Sequence, residues 1–182
     1  MLDEKVSKIF ESGTKEEKIY ALESFVNTND PLTINKIISK LDDSDIEVRG
    51  EAFSSLVLNE NNISNLLIQN LNSESKNIRG YAALVLANRR NSDAISAITN
   101  LTKDQSGMVR ACALGALGYL KAKQSSKEIH ECFLDSNLEV KKCALKAAID
   151  IGDKISNEEI KELSMENDPE IEKLLGQARV NS

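Results

Sequence analysis

Apolar residues in this chain recur in short stripes at helical spacing, and the stripes themselves recur. Ile78, Ala82, Ala83 and Leu86 form one stripe, and Val109, Ala113, Leu114 and Leu117 repeat it 31 residues later. Spacing of i, i+4, i+5, i+8 is one face of an α-helix. Just inside each stripe stands a basic residue: Lys18, Arg49, Arg79, Arg110 and Lys141, at steps of 31, 30, 31 and 31. An alanine follows three places later each time, at Ala21, Ala52, Ala82, Ala113 and Ala144. A methyl there lets adjacent helices approach closely, whereas a larger side chain would overpack the contact by roughly 1–3 kcal/mol. A fixed period in this range predicts one two-helix unit stacked repeatedly, so residues 1–182 are expected to form a single continuous domain.

The rest of the chain fits that rhythm. Leu2–Ser12 places Leu2, Val6, Ile9 and Phe10 on one helical face and reads as a half-repeat covering the first edge. A helix over about 14–28 follows, with Ile19, Leu22, Phe25 and Val26 inward. Asp30–Pro31 is an N-cap followed by proline at the first helical position, where its missing N–H costs nothing. Ile34, Ile37, Ile38 and Leu41 form the next inward face. The first helix of each later unit centres on Leu66, Leu67 and Leu71, then Ile95, Ile98 and Leu101, then Ile129, Phe133 and Leu134. Asp45, Ser75, Ser106, Asn137 and Asp168 stand where they can cap the second helices. At the end, Glu172 takes the basic place and Leu175 the alanine place, the drift expected of a terminal repeat facing water on one side.

Composition adds exclusions. Only two prolines and eight glycines interrupt the pattern, which argues against arrays of β-hairpins. No apolar run reaches the length of a signal peptide or a membrane span, so a soluble, cytoplasmic chain is expected. Cys112, Cys132 and Cys143 have no CxxC spacing and are read as reduced thiols. With His130 the lone histidine, no zinc-type ligand set can be assembled from them. No metal, no cofactor and no enzyme constellation is expected. No serine sits in a nucleophile motif with a partner histidine, and no glycine-rich phosphate loop is present.

A cation in the first turn of a helix is disfavoured by the helix dipole, yet Lys18, Arg49, Arg79, Arg110 and Lys141 all take that place. Six residues upstream lie Asp43, Ser73, Asp104 and Asp135. The basic column is expected to hydrogen-bond the acidic column of Asp43, Asp104 and Asp135, and nearby carbonyls, within or between units. The pattern D-x-x-x-x-V/I-R/K-x-x-A-x-x-x-L, seen from Asp43 and Asp104 and with Lys141 from Asp135, resembles the HEAT-like repeats first described in phycobilisome lyases. The resemblance runs from about Thr14 to Arg179. It implies an all-α, right-handed α-solenoid of HEAT-like or armadillo type, with about five helix pairs and an N-terminal capping helix, whose second helices line the concave surface. It also implies a protein-binding scaffold, with bilin or other cofactor handling and action on DNA bases as other roles in that family. Members that bind iron use several His-Glu pairs, and this chain has the single pair His130–Glu131.

If the second helices form a wall, offsets +2, +6 and +9 from the basic residue should face outward. In the middle of the chain these are Tyr81, Val85 and Asn88, then Cys112, Ala116 and Tyr119, with Arg89 and Arg90 at the rim. They are read as a shallow groove for a partner, the alternative being side chains that merely pack between neighbouring helices. Charge favours the middle: residues 1–74 carry 14 acidic against 7 basic side chains, residues 75–130 carry 3 against 9, and residues 131–182 carry 12 against 7. A positive centre would steer another protein presenting an acidic patch, while the acidic ends argue against nucleic acid.

Overall fold

The computed structural model describes residues 2–180, with side chains from Ser7 to Ala178. Among the described residues every regular element is helical, and no helix is long and apolar enough to cross a membrane. Contacts divide the chain into two compact units, one ending at Arg89 and one beginning at Arg90; each is described by itself. The first contains α1 (Leu2–Ser12), α2 (Lys15–Ser24), α3 (Pro31–Ser39), α4 (Ile46–Leu58), α5 (Ser64–Asn70) and α6 (Lys76–Asn88). The second contains α7 (Ile95–Asn100), α8 (Gly107–Tyr119), α9 (Ser126–Glu131), α10 (Leu138–Ile151), α11 (Asn157–Ser164) and α12 (Pro169–Val180). From α3 on, short and long helices alternate, and 3-10 turns at Lys40–Asp42, Leu101–Lys103 and Cys132–Leu134 extend three of the short ones.

Side chains at the helix starts explain the boundaries. Thr14 and Glu17 form a reciprocal capping box on α2, and Ser156 and Glu159 form another on α11. Two exposed N–H groups are satisfied in each box. Asp30 caps α3 through the Thr33 N–H at 2.8 Å, with Pro31 next in the chain. Asp45, Ser75, Asn137 and Asp168 accept from the first turns of α4, α6, α10 and α12. Ser106 differs, because its hydroxyl makes no capping bond to α8. Helix α2 is shorter than expected and stops at Ser24, leaving Phe25 and Val26 half-buried beyond its end.

The repeating stripes make the core. Ala82, Ala83 and Leu86 on α6, and Val109, Ala113, Leu114 and Leu117 on α8, are all fully buried. Ile34, Ile37, Ile38 and Leu41 are buried as the spacing predicts. On α1, Phe10 is buried and Ile9 half-buried, while the expected inward side chains Leu2 and Val6 lie outside the described side chains. Leu134 is a correction: it is 65% exposed. It stands seven residues before Lys141, the place held by Asp42, Asn72 and Lys103 in the other units, and Phe133 beside it fills the core position instead.

Polar ties one repeat apart hold successive pairs in register. In the first unit the buried Ser55 hydroxyl donates to the Leu22 carbonyl at 3.1 Å, and the Asn59 amide donates to the Thr28 carbonyl at 2.9 Å. In the second unit α8 and α10 approach so closely that a Cβ on Gly118 would lie 3.1 Å from the Ala147 Cα. Gly50 on α4 is the opposite case, with no atom within 4 Å of its would-be Cβ. Gly118→Leu should therefore lower stability by about 1–3 kcal/mol. Gly50→Leu should lose nothing and gain up to about 1 kcal/mol from helix propensity. Urea unfolding of the two variants checks the contrast.

Candidate functional site

The cations of this chain fall into two groups, and the first is structural. Arg49 places Nη1 on the carbonyls of Asp43 and Ser44 at 2.7 and 3.1 Å. Arg79 does the same to Ser73 and Glu74, and Arg110 to Asp104 and Gln105. Each guanidinium thus closes the turn in front of its own helix. The acids make the link between one repeat unit and the next. Their carboxylates accept the cation of the preceding repeat, 25 residues upstream: Lys18 to Asp43 at 2.8 Å, and Arg110 to Asp135 through Nε and Nη2 at 2.7 and 2.8 Å. Lys141 pairs with Glu166 in the same way. Burial alone would raise the Asp43 carboxyl, but the Lys18 ammonium and the Asp45 N–H hold it below the usual carboxylate range. The two-pronged Arg110 bond does likewise for Asp135.

Arg89 belongs to this structural group and is not a rim residue. Its guanidinium donates to the carbonyls of Leu56 (2.9 Å), Asn61 (2.7 Å) and Asn59, tying the end of α6 to the end of α4. Burial lowers its pKa from the ordinary arginine value, its hydrogen bonds running to four backbone oxygens. His130 is another tie, its Nδ1 lying 2.7 Å from Glu159 and its Nε2 3.5 Å from Asp153.

The expected wall is narrower than the offsets suggested. Val85 and Ala116, both at +6, are fully buried. At 3.6 residues per turn, +6 lies only about 20° from the −1 position, which is core. Offsets +2 and +9 do reach the surface. Asn88 is exposed and Tyr119 is 53% exposed, while Tyr81 and Cys112 are half-buried. The Cys112 thiol sits against the Met108 sulfur at 3.6 Å. Burial pushes the thiols of Cys112, Cys132 and Cys143 up to about 11, so all three are protonated at neutral pH.

Two of the expected residues, Arg90 and Tyr119, come together in the second unit. They line an open groove of about 770 Å³ with Leu114, Gly115, Cys143 and Ala147 on its floor. Lys121, Lys146 and Asp150 also line it. The Asp150 carboxylate is 3.2 Å from the Lys146 ammonium and 3.6 Å from that of Lys121. Three cations, Arg90, Lys121 and Lys146, line the groove against one carboxylate, which only the two lysines share, so the groove is positive. Tyr81 lies elsewhere, in a smaller groove of the first unit with Ile46, Arg49, Gly50, Phe53 and Leu84.

Arg90 and Lys121 are also backbone outliers, with φ of 57° and 53°. The next position in the 31-residue series, Gly152, has φ 79°. Lys121 ends α8 in a Schellman arrangement, its N–H bonded to the Gly118 carbonyl and that of Ala122 to the Leu117 carbonyl. Glycine is the residue such a position favours; a side chain there costs roughly 1–2 kcal/mol. Lys121, Lys146 and the strain at Arg90 were missed from sequence, although the step from Arg90 to Lys121 to Gly152 was available to find them.

With the geometry in hand, the chain can be set beside known proteins. Residues 64–137 match the family model for HEAT repeats. Over nearly the whole chain, solved structures share the fold. An engineered protein of the Northeast Structural Genomics Consortium superposes with a TM-score of 0.63 at 15% identity, covering 98% of this chain and 97% of that one. A designed armadillo repeat protein in complex with peptide (KR)4 gives 0.54 at 18% identity, covering 99% and 98%. A computationally designed armadillo repeat protein for modular peptide recognition gives 0.56 at 17%, covering 100% and 99%. At these identities the likeness is one of fold. No curated protein matches the sequence.

Arg89→Met should destabilise the first unit by about 1–3 kcal/mol by leaving carbonyls unpaired, visible in urea unfolding. Asp135→Asn should cost a similar amount at neutral pH. Because the folded carboxyl titrates below its unfolded value of about 3.9, its contribution is complete above that pH and is lost as pH falls through the folded value. The gap between wild type and Asp135→Asn should accordingly close on acidification.

Proposed function

We propose that the chain is a non-catalytic peptide-binding scaffold, and that the groove of the second unit holds an acidic segment of a partner protein. The observation that carries this reading is the placement of Arg90 and Lys121. Both are cations held in a left-handed backbone conformation that glycine would adopt without penalty, and both stand on the lip of one groove. Strain of this kind persists where the side chain has a use. Lys146 supplies a third positive charge and Tyr119 an exposed ring, the residue types that anchor interfaces. The floor of Gly115 and Ala147 is low enough for an extended backbone to lie against it. Likeness to armadillo proteins designed for peptide recognition lends further support. Attraction to an acidic segment would speed encounter and weaken with salt.

The strain supplies its own test. Arg90→Gly with Lys121→Gly should raise stability by about 1 kcal/mol per site. The same change should weaken binding of a labelled acidic peptide, Glu-Asp-Glu-Phe-Glu-Asp, by about tenfold, as expected for lost anchor residues. Fluorescence anisotropy and urea unfolding on one preparation read both. Weaker binding by a more stable protein excludes unfolding as the cause, and unchanged binding would reject the groove.

A further inference from the structure

The series of links from cation to acid is broken at one place in the first unit, and a groove opens there. Lys18 reaches the Asp43 carboxylate, and in the second unit Arg110 grips Asp135 with Nε and Nη2 at 2.7 and 2.8 Å. Each of these acids stands six residues before the next basic residue of the series. Before Arg79 that place is held by Ser73, whose hydroxyl accepts the Ser75 N–H at 3.3 Å. The repeat after Arg49 thus offers a hydroxyl where the repeats after Lys18 and Arg110 offer a carboxylate. Arg49 still closes its own turn through Nη1, as Arg110 does. Its Nε and Nη2, the edge that Arg110 gives to Asp135, hydrogen-bond no described residue.

Among the described residues lining the groove between α4 and α6, Arg49 alone is charged. The space measures about 310 Å³, with Ile46, Gly50 and Phe53 on one side and Tyr81 and Leu84 on the other. Glu74, next to Ser73, is exposed and does not line it. Ile46 is 72% exposed, and a Cβ on Gly50 would meet nothing within 4 Å, so the apolar part is open and has room for a side chain. A half-buried guanidinium with two donors to spare, beside an apolar slot, complements a carboxylate carried next to an apolar group. A C-terminal residue meets both needs, because its carboxylate and its side chain leave the same Cα. An acidic residue beside an apolar one does not, since neighbouring side chains of an extended chain point to opposite faces.

We propose that the first unit captures the C-terminus of a partner polypeptide that ends in a bulky apolar residue. The terminal carboxylate takes the edge of Arg49 that Asp135 takes on Arg110, and the last side chain lies in the slot over Gly50. This ligand differs from the acidic segment proposed for the second unit, and neither reading rests on the other.

The test is fluorescence anisotropy of the intact chain with N-terminally labelled Ser-Gly-Ser-Gly-Leu, made as the free acid and as the C-terminal amide. The free acid is expected to bind saturably, and amidation should weaken binding by about tenfold, the range of a lost charged anchor. Ser73→Asp supplies the missing acid from within, so the urea midpoint should rise while binding of the free acid falls by about tenfold. Gly50→Leu fills the slot and should weaken binding to a similar extent, with circular dichroism showing the fold intact. Arg90→Gly with Lys121→Gly should leave this peptide's affinity unchanged, and Glu-Asp-Glu-Phe-Glu-Asp, which ends in a charged residue, should not displace it. Failure of this reading and failure of the second-unit reading are thereby told apart. Equal binding of acid and amide, no saturable binding of the acid, or a folded Ser73→Asp variant that binds like wild type would overturn the proposal.

Discussion

Close approach of successive long helices is the constraint from which the rest follows. In the second unit α8 meets α10 so closely that a Cβ on Gly118 would sit 3.1 Å from the Ala147 Cα, and the alanines at Ala82, Ala113 and Ala144 are buried to the last atom. Contacts this tight tolerate neither added volume nor a shift of register. They fix the repeat length, since a slipped residue would turn the alanine face away from its neighbour. They also decide what is left outside: position +6 is taken into the contact, so only +2 and +9 remain to meet a partner.

That geometry sorts the basic residues by use. Arg49, Arg79 and Arg110 close the turn before their own helix, and Arg110 and Lys18 reach the acid of the next repeat. Arg89 does a related task at the far end of α6. These groups are held by hydrogen bonds within the fold. Arg90, Lys121 and Lys146 are different: they line one groove, where among the described residues the two lysines share the single carboxylate of Asp150. A positive groove results from the arrangement, although residues 90–182 carry more acids than bases.

Much of the fold was legible because helical spacing, caps and period agree at almost every unit. The stripe of Val109, Ala113, Leu114 and Leu117 announces a buried face, and Asp30–Pro31 announces a helix start; both are found. Leu134 misled because it is apolar in a register position that is polar elsewhere, so its residue type outweighed its place in the series. The site was less legible for a geometric reason. Counting offsets placed Val85 and Ala116 on the surface, whereas their angle around the helix sets them beside the core position at −1. Arg89 and Arg90 are neighbours in sequence and look equivalent there. A single left-handed residue after α6 separates their roles, sending one guanidinium into backbone carbonyls and the other to the groove lip. Lys121 could have been recognised by its place 31 residues after Arg90, in line with Gly152.

Backbone amide NMR during titration with the acidic peptide tests the central claim most directly. If the second-unit groove is the working surface, the amides of Gly115, Tyr119, Lys121, Lys146 and Ala147 should shift together and saturate, with Gly50 and Leu84 unmoved. Shifts confined to residues outside that groove, or none at concentrations where anisotropy reports binding, would contradict it.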